Sequence, residues 1–123
     1  MFEGLMRLHH VQLAIPSGSE AQCRTFYCSV LGWEELAKPP ALAARGGLWL
    51  KVGENELHLG VEADFRPARK AHPAFAAGDL DDIAARLKAA GAPVEWDDAI
   101  PGVRRFYTAD AVGNRIEFIE EAA

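Results

Sequence analysis

Among the ligand-type side chains of this sequence, His10, His58, His72 and Glu117 stand where they could hold a divalent cation. Neutral imidazole nitrogens together with a carboxylate oxygen are a donor set for such ions, and donors on one side leave the opposite positions open for water or substrate. An ion held in that way acts as a Lewis acid or lowers the pKa of its bound water. Each residue alone has a plainer reading. A single histidine on a strand face is more often a hydrogen-bonded structural residue, and a single glutamate near a strand end is more often a solvated charge. What raises these four above that reading is the alternation of the strands that carry them.

Val11, Leu13 and Ile15 alternate with His10, Gln12 and Ala14, the period of a strand, and Pro16 ends it. The apolar face belongs to the core, so His10 and Gln12 take the other face. The same rule over residues 56–61 sends Leu57, Leu59 and Val61 inward and leaves Glu56 and His58 opposite. In a strand expected at 71–77, Phe75 opposes His72 and Ala74. In 105–109, Phe106 and Thr108 oppose Arg105 and Tyr107; in 115–120, Ile116 and Phe118 oppose Glu117. His9 is expected to point away from His10, as a structural or rim residue.

Between these strands the punctuation is regular. Ser17 and Glu20 fit a capping box, followed by Cys23, Phe26, Tyr27, Val30 and Leu31 at helical spacing and Gly32 as the stop. Asp79 is the N-cap of a second helix with Leu80, Ile83, Ala84, Leu87 and Ala90 on its apolar face, ended by Gly91. Residues 47–52 and 56–61 read as strands joined by a Gly53-Glu54-Asn55 turn, with shorter strands at 33–36 and 94–96; Pro39-Pro40 forbids a central strand between. The pattern thus runs twice, as a module at 7–62, a connector at 63–70 and a second module at 71–121. His10 and His72 lie 62 residues apart, and Gly32 and Gly91 follow them by 22 and 19. This is a repeat of pattern and not of side chains. A βαβββ unit leaves one sheet face uncovered, and two units can pair their sheets. The expected fold is α+β: one domain of two βαβββ modules, forming a curved mixed sheet of about eight strands around a cup, with the helices outside.

Composition bounds the rest. A chain of 123 residues, half of them hydrophobic, can bury a core without staples. The net charge of −5 argues against nucleic acid and anionic membranes as partners. No apolar run approaches the ~18 residues of a membrane span. MFEGLMRLHH lacks an apolar stretch long enough for a leader. Cys23 and Cys28, five apart on different faces of a helix, are expected to be reduced thiols, which suits a cytoplasmic protein.

"LHHVQLAIP", "FYCSVLGWE", "ELHLGVE", "AHPAFAAGDLDDIAARLKAAGAPVE" and "PGVRRFYTADAVGNRIEFIEE" resemble the vicinal oxygen chelate superfamily, which includes glyoxalase I, extradiol dioxygenases, fosfomycin-resistance thiol transferases and bleomycin-resistance proteins. The last stretch is close to the family's D-P-D-G-N-R-I-E-[FL] ending and is the most specific. The resemblance covers nearly the whole chain and implies the same paired-module fold. In metal-dependent members the first-strand histidine, the histidine opening the second module and the last-strand glutamate bind the ion. By position these are His10, His72 and Glu117, and the resemblance implies iron, zinc, manganese or nickel as the divalent metal. Bleomycin-binding members lack such a triad and only sequester a ligand. Glyoxalase I has a fourth ligand on the strand that here carries Glu56 and His58, and either residue could fill that role. Extradiol enzymes use a histidine and a tyrosine at positions comparable to His58 and Tyr107.

The family's Pro and Asp in the final hairpin are Ala111 and Val112 here. Gln12 replaces a threonine of the fosfomycin enzymes, and only six residues follow Glu117, so fosfomycin is not the expected substrate. The resemblance implies a metal-dependent lyase or isomerase acting on a small oxygen-rich molecule, with Glu117, His58 and Tyr107 as catalytic groups and Gln12, Glu56 and Arg105 as substrate contacts. A ring-cleaving dioxygenase and a non-catalytic binding protein are the alternatives. A homodimer is expected by resemblance alone. Trp49 belongs in the cup wall or at a dimer contact. Arg45, in a Gly-rich stretch, reads as a solvated surface residue before an anion clamp.

Overall fold

Apolar alternation does mark the strands of this protein, whose computed structural model describes residue 4 and residues 6–121. Part of MFEGLMRLHH therefore lies outside the described residues. The first module holds β1 (His10–Ile15), α1 (Glu20–Arg24), β2 (Glu34–Leu36), α2 (Pro40–Ala43), β3 (Leu48–Val52) and β4 (Asn55–Val61). The second holds β5 (Ala74–Ala77), α3 (Leu80–Ala89), β6 (Glu95–Asp97), β7 (Arg105–Ala109) and β8 (Arg115–Glu120). No helix among the described residues is long and apolar enough to cross a membrane.

The eight strands fall into two mixed sheets of four with one topology, β1-β4-β3-β2 and β5-β8-β7-β6. In each, the first strand runs parallel to the last and the remaining pairs are antiparallel. The internal repeat is thus a repeat of hydrogen-bonding order. Local boundaries differ from the sequence reading in three places, each for a physical reason. The first helix begins at Glu20 with Ser19 as its N-cap, and no capping box forms. The Glu20 carboxylate accepts instead from the Gly47 amide at 2.9 Å, and Ser19 Oγ donates to the Pro16 carbonyl at 2.7 Å. After Arg24 the helix widens into a π-helical turn over Thr25–Val30. β5 begins at Ala74, because Pro73 brings no amide to a ladder. The Pro73 carbonyl still accepts from Glu117 N at 3.0 Å, which keeps His72 alongside β8. Val61, expected inside, is exposed at the end of β4.

One core serves both modules. Leu13, Ile15, Leu57 and Leu59 from the first sheet join Phe106, Ile116 and Phe118 from the second, with Cys23, Tyr27, Leu80 and Leu87 from the helices. Trp33 meets Phe75 edge-on, with ring centroids 4.9 Å apart. The apolar faces of both sheets are used up in this shared core, so each polar face turns away from it. Both cysteines are free. Burial pushes the Cys23 thiol up to about 11, so it stays protonated and inert at neutral pH.

A buried polar clasp locks the modules together. Tyr27 Oη donates to Asp110 Oδ2 at 2.6 Å. Asp110 Oδ1 accepts from the amides of Val112 and Asn114 at 3.0 and 2.8 Å. Asn114 Nδ2 crosses to the Ala14 carbonyl of β1 at 2.9 Å and also reaches Asp110, and its Oδ1 accepts from Ala68 N at 2.8 Å. Every group is satisfied, which such a buried network requires. Asn114→Ala would leave the Ala14 carbonyl and the Ala68 amide without partners. We expect it to cost about 2–4 kcal/mol in urea unfolding; a loss below about 1 kcal/mol would show that the clasp is dispensable.

Candidate metal centre

Register delivers the donors in two groups. On the first sheet His10 pairs with Glu56, and Gln12 with His58, across the parallel β1–β4 ladder, while Trp49 of β3 pairs with His58. On the second, Tyr107 pairs with Glu117, Ala74 pairs with Glu117 from the other side, and Asp97 of β6 pairs with Arg105. Each group lies on a polar sheet face, as alternation requires. The faces belong to different sheets that share a core behind them. Among the described residues no three His, Cys, Asp or Glu side chains of one chain converge to hold an ion. The single cup expected from the sequence is, within one chain, two separate walls: Gln12 belongs to the first, Arg105 and Tyr107 to the second.

The first wall is built around a ring stack. His58 lies between His10, at 4.0 Å and 14° between planes, and Trp49, at 4.5 Å and 12°. Its Nε2–H donates to Glu56 Oε1 at 2.9 Å, and this bond, ahead of other influences, lowers the Glu56 pKa. His58 is buried, so its edge and not its face is open to chemistry. His10 and His9 share a bond between their Nδ1 atoms at 3.0 Å. His9 therefore turns toward His10, contrary to the alternation reading, because it precedes the strand. That bond leaves His10 Nε2 without a protein partner among the described residues. Desolvation, then the neighbouring His58 and His9, lower the His10 pKa, which favours the neutral imidazole that a metal needs.

The second wall is a chain of charge-assisted contacts. His72 Nδ1 faces the Lys70 carbonyl at 2.9 Å, and His72 Nε2 faces Glu117 Oε1 at 2.9 Å. Glu117 Oε2 accepts from Arg105 at 3.3 Å, and Arg105 also donates to Asp97 at 3.3 Å. The backbone bond from Ala99, first among several causes, lowers the Asp97 pKa. Arg105 is thus engaged by two carboxylates, with 15% of its side chain exposed. That makes it the anchor of Glu117, while its buried Nε–H has no partner among the described residues. Tyr107 packs edge-on against His72 at 5.4 Å and under the Arg115 guanidinium at 3.9 Å.

The His72–Glu117 contact carries the chemical test. A carbonyl only accepts, so a neutral His72 carries its proton on Nδ1 and turns a lone pair from Nε2 toward a carboxylate oxygen. Two acceptors facing one point require a proton or a cation between them. A backbone carbonyl behind a histidine is also the usual support of a metal-binding imidazole. The donors therefore fit a divalent ion, with nitrogen and oxygen ligands mixed as zinc, iron, manganese or nickel accept. The sequence reading missed the Trp49 stack and the Arg105 anchor; the ladder positions of Trp49 and Asp97 were the only signals for them. Long-range 1H–15N NMR should find neutral His72 as the Nδ1–H tautomer; an Nε2–H tautomer would remove the lone pair and the donor assignment with it.

Comparison with known proteins agrees with this geometry at the level of fold and family. A profile of the Glyoxalase/Bleomycin resistance protein/Dioxygenase superfamily matches residues 7–118. A protein from Bacillus anthracis described as of the glyoxalase family is 45% identical over 99% of this chain and 100% of its own, with a TM-score of 0.92. A lactoylglutathione lyase from Agrobacterium tumefaciens (23% identity, 96% of each chain, TM-score 0.73) and an antibiotic binding protein from a Streptomyces species (21%, 98% and 100%, TM-score 0.75) share the fold. No curated protein sequence matches.

Proposed function

The chain belongs to the glyoxalase/bleomycin resistance protein/dioxygenase superfamily, and from that premise we propose that it is a metal-dependent enzyme acting on a small oxygen-rich substrate, with each site made from the walls of two copies. His10 of one copy, with Glu56 or His58 beside it, would complete the His72 and Glu117 pair of the other. The observation that carries this reading is His72 Nε2 held 2.9 Å from Glu117 Oε1, a nitrogen–oxygen pair backed by the Lys70 carbonyl and by Arg105. Two features favour a homodimer. The end strands of both sheets, β1, β2, β5 and β6, pair with a strand on one side only, and although Asn114 takes the Ala14 carbonyl of β1, unpaired edge groups invite pairing. Met6 and Leu8, leading into β1, are 83% and 61% exposed. A two-fold pairing of identical copies would make both sites at once.

When bound, a divalent ion would chelate two neighbouring substrate oxygens and stabilise the anion formed on proton removal. The chain's own groups would do the rest. Glu117 is the base candidate, since a carboxylate beside the ion would lie within reach of a substrate chelated there. Arg105 would hold its second oxygen in place. His58 Nε2 and Glu56 form a bonded pair able to pass a proton to a neighbouring oxygen. Tyr107 and Gln12 would orient the substrate from opposite walls.

Wild-type protein should bind iron, zinc, manganese or nickel, and His10→Ala, His72→Ala and Glu117→Ala should each lose that ion, as read by elemental analysis of untagged protein. A His72→Ala variant that keeps its affinity would end the proposal. Mixing His10→Ala with Glu117→Ala protein after subunit exchange should restore about a quarter of the sites, since a symmetric heterodimer has one intact site. No restoration would mean that the walls of two copies do not combine. Isomerisation of a hemithioacetal, set against oxygen consumption with catechols, then distinguishes lyase from dioxygenase. Metal-independent ligand uptake without turnover would identify a sequestering protein instead.

A further inference from the structure

Along the first wall the sheet changes character row by row. His10, Glu56 and Lys51 form one row, Gln12, His58 and Trp49 the next, and Ala14 with Gly60 the third. The third row carries no large side chain of its own. A Cβ at Gly60 would lie 2.9 Å from the Gln12 side-chain amide, so Gln12 lies over that glycine. Gly47, at φ +84°, comes so near the Leu59 carbonyl that a Cβ there would lie 2.1 Å from it. Only glycine fits that position. Above the third row is a hollow of about 280 Å³. His58 and Trp49 wall one side, and Lys38, Leu42 and Arg45, from the segment around α2, wall the other.

The charge in this hollow has one sign. Lys38 and Arg45 line it and no carboxylate does. Lys38 donates one proton to the Gly46 carbonyl and keeps two more. Glu20, bonded to Gly47 N, offsets part of the Lys38 charge from beside Gly46. Arg45 is exposed and has no ion-pair partner among the described residues. The Gln12 amide adds further donors. A hollow with Trp49 and Leu42 in its walls and several polar groups converging on it can serve as a subsite for a polar end of a small molecule. We infer that this hollow binds a carboxylate on the substrate through Lys38, Arg45 and Gln12. The inference deepens the chelation reading above and rests on it for the position of the substrate's other end. From Glu56 to Gly60 is four residues of strand, about 13 Å. The substrate is therefore an extended molecule with chelating oxygens at one end and a carboxylate on the order of 10 Å away. Arg45 is exposed, as the solvated reading expects, and the proposal adds the anion clamp that the sequence also offered, because the fold brings Arg45 to the same hollow as Lys38.

Two experiments test this, one needing no metal. Hexanoate titrated into 15N-labelled protein should shift the amides of Gly46 and Gly60 and the Gln12 side chain saturably, and hexanamide should not. Arg45→Met, a change at an exposed side chain, should weaken the effect, and the Lys38→Met/Arg45→Met double variant should abolish it. No saturable shift, or one unchanged in both variants, overturns the inference. In metal-loaded protein, suberic acid monohydroxamate should bind about tenfold tighter than octanohydroxamate. The double variant should lose that gain while its octanohydroxamate affinity and metal content stay the same. Equal affinities in wild-type protein would refute the subsite and leave chelation standing. A hexanoate response with neither hydroxamate binding would do the reverse.

Discussion

Asn114 is the residue on which the arrangement of this protein turns. Its side chain joins the final hairpin, the connector and β1 through three partners, and Asp110 ties the same hairpin to Tyr27 of the first module. Both carboxylate and amide are buried, where an unmatched polar group is costly and a matched one is directional. The clasp therefore admits one relative position of the two modules. It also fixes the start of β8, and Glu117 follows Asn114 by three residues.

From that constraint follows the division of the polar residues. Apolar faces from both sheets meet in one core, so the faces with histidines and carboxylates look outward from it on separate sheets. Neither wall by itself has a full set of ligands. The first has an imidazole with a free Nε2 and a ring stack that immobilises it. The second has an imidazole and a carboxylate held in opposed geometry by a carbonyl on one end and Arg105 on the other. These supports restrict the side chains before any ligand arrives, and preorganised donors lose less freedom on binding. A symmetric pair of copies is the simplest way for such complementary halves to meet, and the proposed enzyme depends on it.

Several residues mark where sequence reasoning works and where it stops. Strand alternation sorted Glu56, His58, Arg105, Tyr107 and Glu117 to polar faces, because side-chain period in a strand is local. It failed at His9, which lies outside the ladder and turns to its neighbour. The Ser17 capping box failed because Glu20 found a better partner in Gly47, 27 residues away. The Arg105 anchor was not legible, because Asp97 and Glu117 are adjacent to it only across strands. Arg45 read as a solvated residue and is exposed; that it lines one hollow with Lys38 depends on the path of the chain around α2.

By itself the sequence determined what depends on nearest neighbours along the chain: the paired modules, the strands, the second helix with its Asp79 cap, and the face to which each donor belongs. Its motifs also carried the family. Only the tertiary structure decided which faces meet. Alternation says that a side chain points away from the core, and every polar face satisfies that condition. Whether two of them share a cavity is set by long-range packing, and here a common core and a buried Asp110–Asn114–Tyr27 clasp, which no local pattern encodes, keep them on separate walls.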